Sequence, residues 1–152
     1  MKIKKFNHGS LWSLVVLDYA EALRILDDPR ADAVYNESMA LSDLKSPGAY
    51  ADAHYQYADY LFDRGQLKKA LQVLDGVPPD TIPNQAYLLK GVLLEKMGRN
   101  TEATKEYGKF KENQKKEYYP LPVPEKYKIL GSMNQPNINF GPDPFKIQEP
   151  RK

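Results

Sequence analysis

The fold is decided by residues 49–83, AYADAHYQYADYLFDRGQLKKALQVLDGVPPDTIP, and by residues 84–114, NQAYLLKGVLLEKMGRNTEATKEYGKFKENQ, which repeat one pattern. Aligning Gly65 with Gly98 offsets the two stretches by thirty-three residues. The alignment pairs small side chains with small ones, Ala58 with Gly91 and Ala70 with Ala103. It pairs large side chains with large ones, Leu61 with Leu94 and Leu74 with Tyr107. Self-similarity of this period is typical of stacked helical hairpins.

Each repeat predicts two helices joined by a glycine turn. In the first repeat, apolar residues recur at helical spacing before and after the glycine: Tyr57, Ala58, Leu61 and Phe62, then Leu67, Ala70, Leu71 and Leu74. Gly65 and Gly98 can each adopt the left-handed conformation that ends a helix. Pro78 and Pro79 end the second helix, because proline lacks the backbone N–H. Gly91 lies inside a predicted helix, where glycine costs about 1 kcal/mol relative to alanine, so we expect a close helix crossing there.

The two units resemble tetratricopeptide repeats over about 65 of the 152 residues. The resemblance rests on the small and large pairs above and on the turn pairs Arg64-Gly65 and Met97-Gly98. The aromatic residue usual in the first helix is replaced by His54 in one unit and is Tyr87 in the other. The resemblance implies an all-α fold, a short solenoid of antiparallel helical hairpins that binds other proteins.

The family's first helices line a concave surface that holds an extended peptide or a helix. By resemblance, the exposed groove positions of this chain are Asp52, Tyr55, Gln56, Asp59, Phe62, Asp63, Gln85, Leu88, Leu89, Val92, Glu95 and Lys96. Such a groove is acidic at one end and apolar at the other, which favours a basic or amphipathic partner. In the alternative interpretation, Phe62, Leu88 and Val92 pack on the N-terminal hairpin or on the C-terminal arm instead.

One subtype of the family holds a C-terminal carboxylate with lysines and an asparagine on these helices. The matching positions here are Tyr55, Asp59, Leu88 and Val92, which offer no cationic donor for a carboxylate. The resemblance therefore does not extend to that type of chaperone-tail receptor.

Residues 1–48 predict a divergent helical hairpin that caps the repeats. Lysines followed by the apolar run LWSLVVL, residues 11–17, imitate a secretory signal, but the run is short and meets Asp18 at once. We therefore expect a retained helix and a cytoplasmic protein. A single apolar stripe is predicted for this helix: Trp12, Val15, Val16, Tyr19, Leu23 and Leu26. Residues 27–30, Asp-Asp-Pro-Arg, end the helix, and a second helix follows.

Residues 118–152 form a proline-rich segment, with seven of the twelve prolines of the chain lying between Pro120 and Lys152. Segments of this composition are extended or disordered when alone. The segment also carries large apolar side chains, so we expect an arm that docks on a surface, either of its own solenoid or of another protein. Its predicted docking residues are Tyr118, Tyr119, Tyr127, Phe140 and Phe145.

Composition and motifs exclude several classes of function. The chain has no cysteine, hence no disulfide or thiolate chemistry, and its net charge of +2 gives no global case for nucleic-acid binding. Lysines at residues 105–116 alternate with glutamates at spacings that pair charges, as on a solvated helix face. His8 and His54 lack metal-ligand spacing, and no catalytic or phosphate-binding motif occurs, so no metal, cofactor or enzymatic activity is expected. No apolar run is long enough to span a membrane.

These observations predict a non-enzymatic protein–protein interaction module, either an adaptor or an assembly factor, that binds a partner peptide or helix in its groove. The alternative is a permanent structural subunit of a larger complex, docked through residues 118–152. The sequence predicts neither the identity of the partner nor the oligomeric state.

Overall fold

The computed structural model of the chain describes residues 9–42, 47–116, 124, 126 and 127. Within these residues the chain forms six helices and no strand, so the predicted all-α class is confirmed. The helices are α1 (Gly9–Ile25), α2 (Ala31–Leu41), α3 (Pro47–Asp63), α4 (Leu67–Asp75), α5 (Asn84–Lys96) and α6 (Asn100–Gln114). None of these six helices is both long and apolar enough to cross a lipid bilayer.

The two glycine turns have the same hydrogen-bonded geometry. Gly65 has φ +72° and Gly98 has φ +76°, the left-handed region that only glycine adopts without strain. The residue after each glycine donates its N–H five residues back, from Gln66 to Leu61 O (2.9 Å) and from Arg99 to Leu94 O (2.8 Å). The pattern is the Schellman motif, which satisfies carbonyls at the end of a helix. Both predicted helix ends are therefore confirmed.

A third turn of the same kind ends α1, with an aspartate in place of glycine. Asp27 has φ +52°, and it is the only non-glycine residue with positive φ in the part of the chain that the structure describes. Asp28 N donates to Leu23 O (2.9 Å) and Asp27 N donates to Arg24 O (3.0 Å), which reproduces the Schellman pattern. Aspartate tolerates this conformation better than most side chains. The first hairpin thus turns as the other two do, with a longer link to the next helix.

Each helix packs mainly against its neighbour in sequence, as α1 with α2, α3 with α4 and α5 with α6. Helix α3 also contacts α1, α2 and α5, and α4 contacts α5, so the three pairs share one core. The largest fully buried side chains of the described residues include Tyr35, Tyr57, Leu61, Leu74, Leu88, Leu89 and Leu93. Because α3 touches four of the five other helices, it is the central element of the molecule.

Gly91 marks a close approach between α5 and α6, as the sequence predicts. A Cβ atom at Gly91 would overlap the ring of Tyr107 at Cε1, so no other residue fits without moving that ring. The Tyr107 hydroxyl in turn donates a hydrogen bond to Oε2 of Glu95 (2.6 Å), which holds the ring across α5.

The apolar stripe predicted for α1 is wrong at four of its six positions. Val16 and Leu23 are buried, but Trp12, Val15, Tyr19 and Leu26 are between 49 and 75 % exposed. The buried face of α1 instead uses Ser13, Leu17 and Ala20, and the hydroxyl of Ser38 on α2 donates to the carbonyl of Ser13 (2.9 Å). Helix α1 carries apolar residues on nearly every side, so the spacing of its apolar residues does not indicate which face is buried. The buried face is the one with small residues, because these let α2 approach closely.

Candidate functional site

The candidate site is built on one face of α3. Tyr55, Asp59, Phe62 and Asp63 follow one another at spacings of four, three and one residues, which brings them to the same side of a helix. We call these four residues the α3 site. All four belong to the predicted groove, but the expectation that Phe62 is exposed is wrong, since it is 9 % exposed and packs against Tyr127, as the alternative interpretation predicts. The side chain of Asp59 is only 13 % exposed and that of Asp63 is 38 % exposed, so the two carboxylates need partners.

Arg24 of α1 provides the first cation of the site. Its Nη2 lies 2.8 Å from Oδ2 of Asp59, and the same nitrogen donates to Oδ2 of Asp63. Its Nη1 lies 3.3 Å from Glu21, whose carboxylate also accepts a hydrogen bond from the Tyr35 hydroxyl. Burial alone lowers the pKa of Arg24, but the hydrogen bond and charge of Asp59 and the charge of Glu21 outweigh it and raise the pKa above its ordinary value.

Lys126 provides the second cation, from the segment that follows α6. Its Nζ lies 2.7 Å from the carboxylate of Asp59 and 3.0 Å from Oδ1 of Asp63, so one ammonium group bridges both acids. The side chain of Lys126 is 33 % exposed, which makes this pair better shielded from solvent than an ordinary surface ion pair. Sixty-seven residues separate Lys126 from Asp59, so this contact joins distant parts of the chain.

Tyr127 fills the apolar part of the site. It is 1 % exposed, and its ring meets the ring of Phe62 edge to face, with centroids 5.8 Å apart. Its hydroxyl donates a hydrogen bond to Oδ1 of Asp59. Burial, followed by the charge of Asp59, raises the pKa of Tyr127 and raises that of Tyr55 to about 12. Both phenols therefore stay protonated near neutral pH, and the Tyr127 hydroxyl acts as a hydrogen-bond donor.

The backbone of this segment turns where it meets α3. Tyr127 N donates to the carbonyl oxygen of Pro124 (3.0 Å), which closes a tight turn over the α3 site. One predicted docking residue of the arm, Tyr127, thus packs against its own chain. The other predicted docking residues, Tyr118, Tyr119, Phe140 and Phe145, lie outside the described residues.

The remaining groove residues divide into an exposed set and a buried set. Asp52 and Lys96 are exposed, and Gln56, Gln85 and Glu95 are partly buried. Nζ of Lys96 lies 5.7 Å from the centroid of the Phe62 ring, so Lys96 borders the α3 site from α5. The expectation that Leu88, Leu89 and Val92 are exposed is wrong, since each is at most 1 % exposed. Helix α5 is enclosed by α3, α4 and α6, and these three side chains fill the core between them.

Sequence reasoning missed Arg24, Glu21 and Lys126 as parts of this site. Arg24 lies three residues after Glu21 on α1, a spacing that indicates only a local ion pair. The pairings of Arg24 and Lys126 with Asp59 span thirty-five and sixty-seven residues, and no local pattern encodes contacts of that range. The adjacent basic and aromatic residues, Lys126 and Tyr127, are the sequence signal that matches the acidic and aromatic character of the α3 site.

The arrangement suits the binding of polypeptide side chains. Asp59 accepts hydrogen bonds from Arg24, Lys126 and Tyr127 at once, so both of its oxygens are engaged by cationic or phenolic donors. Donors from α1 and from the segment after α6 therefore converge on this one carboxylate of α3. The α3 site therefore holds one basic and one aromatic side chain of its own chain, Lys126 and Tyr127.

Comparisons with protein-family models, with curated proteins and with solved structures gave no match to this chain.

Proposed function

We propose that this chain is a non-enzymatic protein–protein interaction module, an adaptor or assembly factor, in which tetratricopeptide-like hairpins present α3 to a partner. The observation that carries the proposal is the seating of Lys126 and Tyr127 on the α3 site. A surface that buries a tyrosine to 1 % exposure and pairs a lysine with two carboxylates has the features needed to bind a segment of polypeptide.

Rigidity of the platform supports the same function. The α3 site stands on the helix that contacts α1, α2, α4 and α5, and Arg24 ties two of its acids to α1. Side chains held on such a support lose little conformational freedom when a ligand arrives, so more of the interaction energy appears as affinity.

A peptide selection tests the function. The target is the full-length chain carrying Lys126→Ala and Tyr127→Ala, which frees the α3 site, and the probe is a library of random dodecapeptides. We expect enriched peptides whose affinity falls at least tenfold when Asp63→Asn is added to the target. The matched control is Asp80→Asn, an exposed aspartate in the turn before α5, which should change nothing. A selection that yields no peptide sensitive to Asp63→Asn contradicts the proposal.

A second candidate function is that of a permanent subunit of a larger complex, and the outer face of α1 favours it. Arrays of stacked hairpins need a polar outer face on the terminal unit to remain monomeric. Helix α1, which belongs to the first hairpin of the described residues, exposes large apolar side chains: Leu11, Trp12, Leu14, Val15, Tyr19 and Ile25, with Leu26 just beyond it. Sedimentation of the purified full-length chain tests this candidate: self-association or aggregation that is suppressed by Val15→Lys supports it, and a stable monomer contradicts it.

A further inference from the structure

We propose that the α3 site selects partner segments in which a basic residue is followed directly by an aromatic one, and that Lys126 and Tyr127 of the chain itself compete with such a partner. This inference rests on the proposed binding function and deepens it. Its basis is that two adjacent side chains occupy two chemically different parts of one surface: the ammonium group lies between Asp59 and Asp63, and the ring lies against Phe62.

The balance of charge requires a cation from the ligand. Three carboxylates meet at the site, those of Glu21, Asp59 and Asp63. The guanidinium of Arg24 pairs with them from α1, and the ammonium group of Lys96 lies 5.7 Å from the centroid of the Phe62 ring. Without Lys126, the described charges around the site leave one negative charge uncompensated on partly buried carboxylates, which is unfavourable. An external ligand must therefore supply the positive charge that Lys126 supplies here.

The aromatic part of the site distinguishes tyrosine from other side chains. The ring of Tyr127 covers Phe62, and its hydroxyl reaches Asp59, the same carboxylate that Lys126 contacts. A phenylalanine fills the same space but leaves Asp59 without that donor, which is expected to cost about tenfold in affinity. An aliphatic residue loses both the ring contact and the hydrogen bond.

The order of the two residues matters because they are adjacent in one helical turn. The hydrogen bond from Tyr127 N to Pro124 O fixes how the backbone passes over α3. The ammonium group of Lys126 lies 2.7 Å from Asp59 and 3.0 Å from Asp63, and it also lies 5.9 Å from the centroid of the Phe62 ring. Exchanging the lysine and the tyrosine would move the ammonium group away from the two carboxylates and the aromatic ring away from its edge-to-face contact with Phe62. The site therefore discriminates between two peptides of identical composition, which general electrostatic attraction to an acidic surface does not do.

Tethering makes the internal segment an effective competitor. Nine residues lie between Lys116, at the end of the turn after α6, and Lys126. A short tether gives the attached segment an effective concentration on the order of millimolar. An external segment with the same side chains must displace it, so its apparent affinity for the intact chain is reduced by the fraction of time that the site is free.

A direct binding measurement tests the inference. The probe is a fluorescein-labelled peptide of residues 120–130, PLPVPEKYKIL, and the targets are the full-length wild-type chain and full-length Lys126→Ala/Tyr127→Ala. Fluorescence anisotropy should show binding to the variant and at least tenfold weaker binding to the wild type. In the peptide, Lys126→Ala, Tyr127→Ala or exchange of the two residues should each weaken binding more than tenfold, and Tyr127→Phe about tenfold. Equal affinity of the exchanged peptide overturns the inference.

A second variant guards against misfolding of the first. Lys126→Glu keeps Tyr127 but adds a fourth carboxylate to the three of Glu21, Asp59 and Asp63, so it should also release the segment and raise peptide affinity at least tenfold. Lys116→Glu, an exposed lysine in the turn after α6, is the matched control and should leave affinity unchanged. If the peptide selection yields Asp63-dependent ligands without a basic–aromatic pair, this inference fails and the binding function stands. If no peptide binds the freed site, both fail.

Discussion

Asp59 is the residue on which distant parts of the chain meet. It accepts hydrogen bonds from Arg24 of α1 and from Lys126 and Tyr127 beyond α6, while its own helix is the central one. A carboxylate that is 13 % exposed must be compensated by such partners, because its desolvation is otherwise unfavourable. Removing a single partner of Asp59 should therefore lower the stability of the fold and disturb the geometry of the α3 site.

Substitution of Arg24 tests this directly. Arg24→Met leaves Glu21, Asp59 and Asp63 with one fewer cation, and we expect the free energy of unfolding to fall by about 2 kcal/mol, below the cost for a fully buried pair because the arginine is 21 % exposed. The control is Arg30→Met, which removes a 67 % exposed arginine that pairs with Asp28 and should change stability by less than about 0.5 kcal/mol. Urea titration followed by circular dichroism measures both. Equal effects would mean that Arg24 contributes no more than a surface charge.

Alanine substitutions at two glycines in consecutive helices should change the free energy of unfolding in opposite directions. Gly91→Ala introduces a Cβ into the ring of Tyr107 and should lower the free energy of unfolding by about 1–3 kcal/mol. Gly108→Ala, within α6, meets nothing within 4 Å and should raise it by up to about 1 kcal/mol, because alanine favours the helix. Thermal denaturation of the two variants checks the signs. A stabilising Gly91→Ala would show that the crossing is not close.

Helix ends were predictable from residue types wherever glycine marks them. Gly65 and Gly98 indicate their turns because few other residues adopt positive φ. Asp27 forms the same turn, but aspartate also occurs at helix starts and in ordinary turns, so its identity does not specify the left-handed conformation. The equivalence of the three helix ends therefore becomes visible only in the backbone hydrogen bonds.

Helix α1 illustrates the limit of periodicity as a guide to burial. Its sequence is apolar on nearly every side, so the pattern that predicts a helix does not indicate which face lies inward. The inner face follows Ser13 and Ala20, whose small side chains let α2 approach, and this leaves Trp12 and Val15 outside. Helix α5 shows the converse, since its predicted groove face is buried because three helices surround it.

Two leucines of α1 separate its faces experimentally. Leu17 is 4 % exposed, and Leu17→Ala should lower the free energy of unfolding by about 2–4 kcal/mol. Leu11 is 73 % exposed, and Leu11→Ala should change it by less than about 0.5 kcal/mol. Chemical denaturation distinguishes the two, and similar losses at both positions would show that the outer face of α1 is buried in solution.

The whole molecule combines a predictable scaffold with a contact that no local pattern reveals. Hairpins, their turns and the close crossing at Gly91 follow from spacing and residue size, which act over a few residues. The return of Lys126 and Tyr127 to α3 depends on complementary charge and shape between segments more than sixty residues apart. The sequence predicted Asp59 and Asp63 as part of an acidic groove and Tyr127 as a docking residue of the arm, but it did not predict that they contact each other.

Photo-cross-linking from position 127 tests whether Tyr127 packs against α3. Tyr127 is replaced by benzoylphenylalanine in the full-length chain, the monomer is irradiated, and cross-linked tryptic peptides are identified by mass spectrometry. We expect the cross-link to fall in the peptide that ends at Arg64 and contains Tyr55 and Phe62, because the Tyr127 ring lies 5.8 Å from that of Phe62. Cross-links confined to other helices, or formed only between two chains, would contradict the central claim that α3 holds this segment.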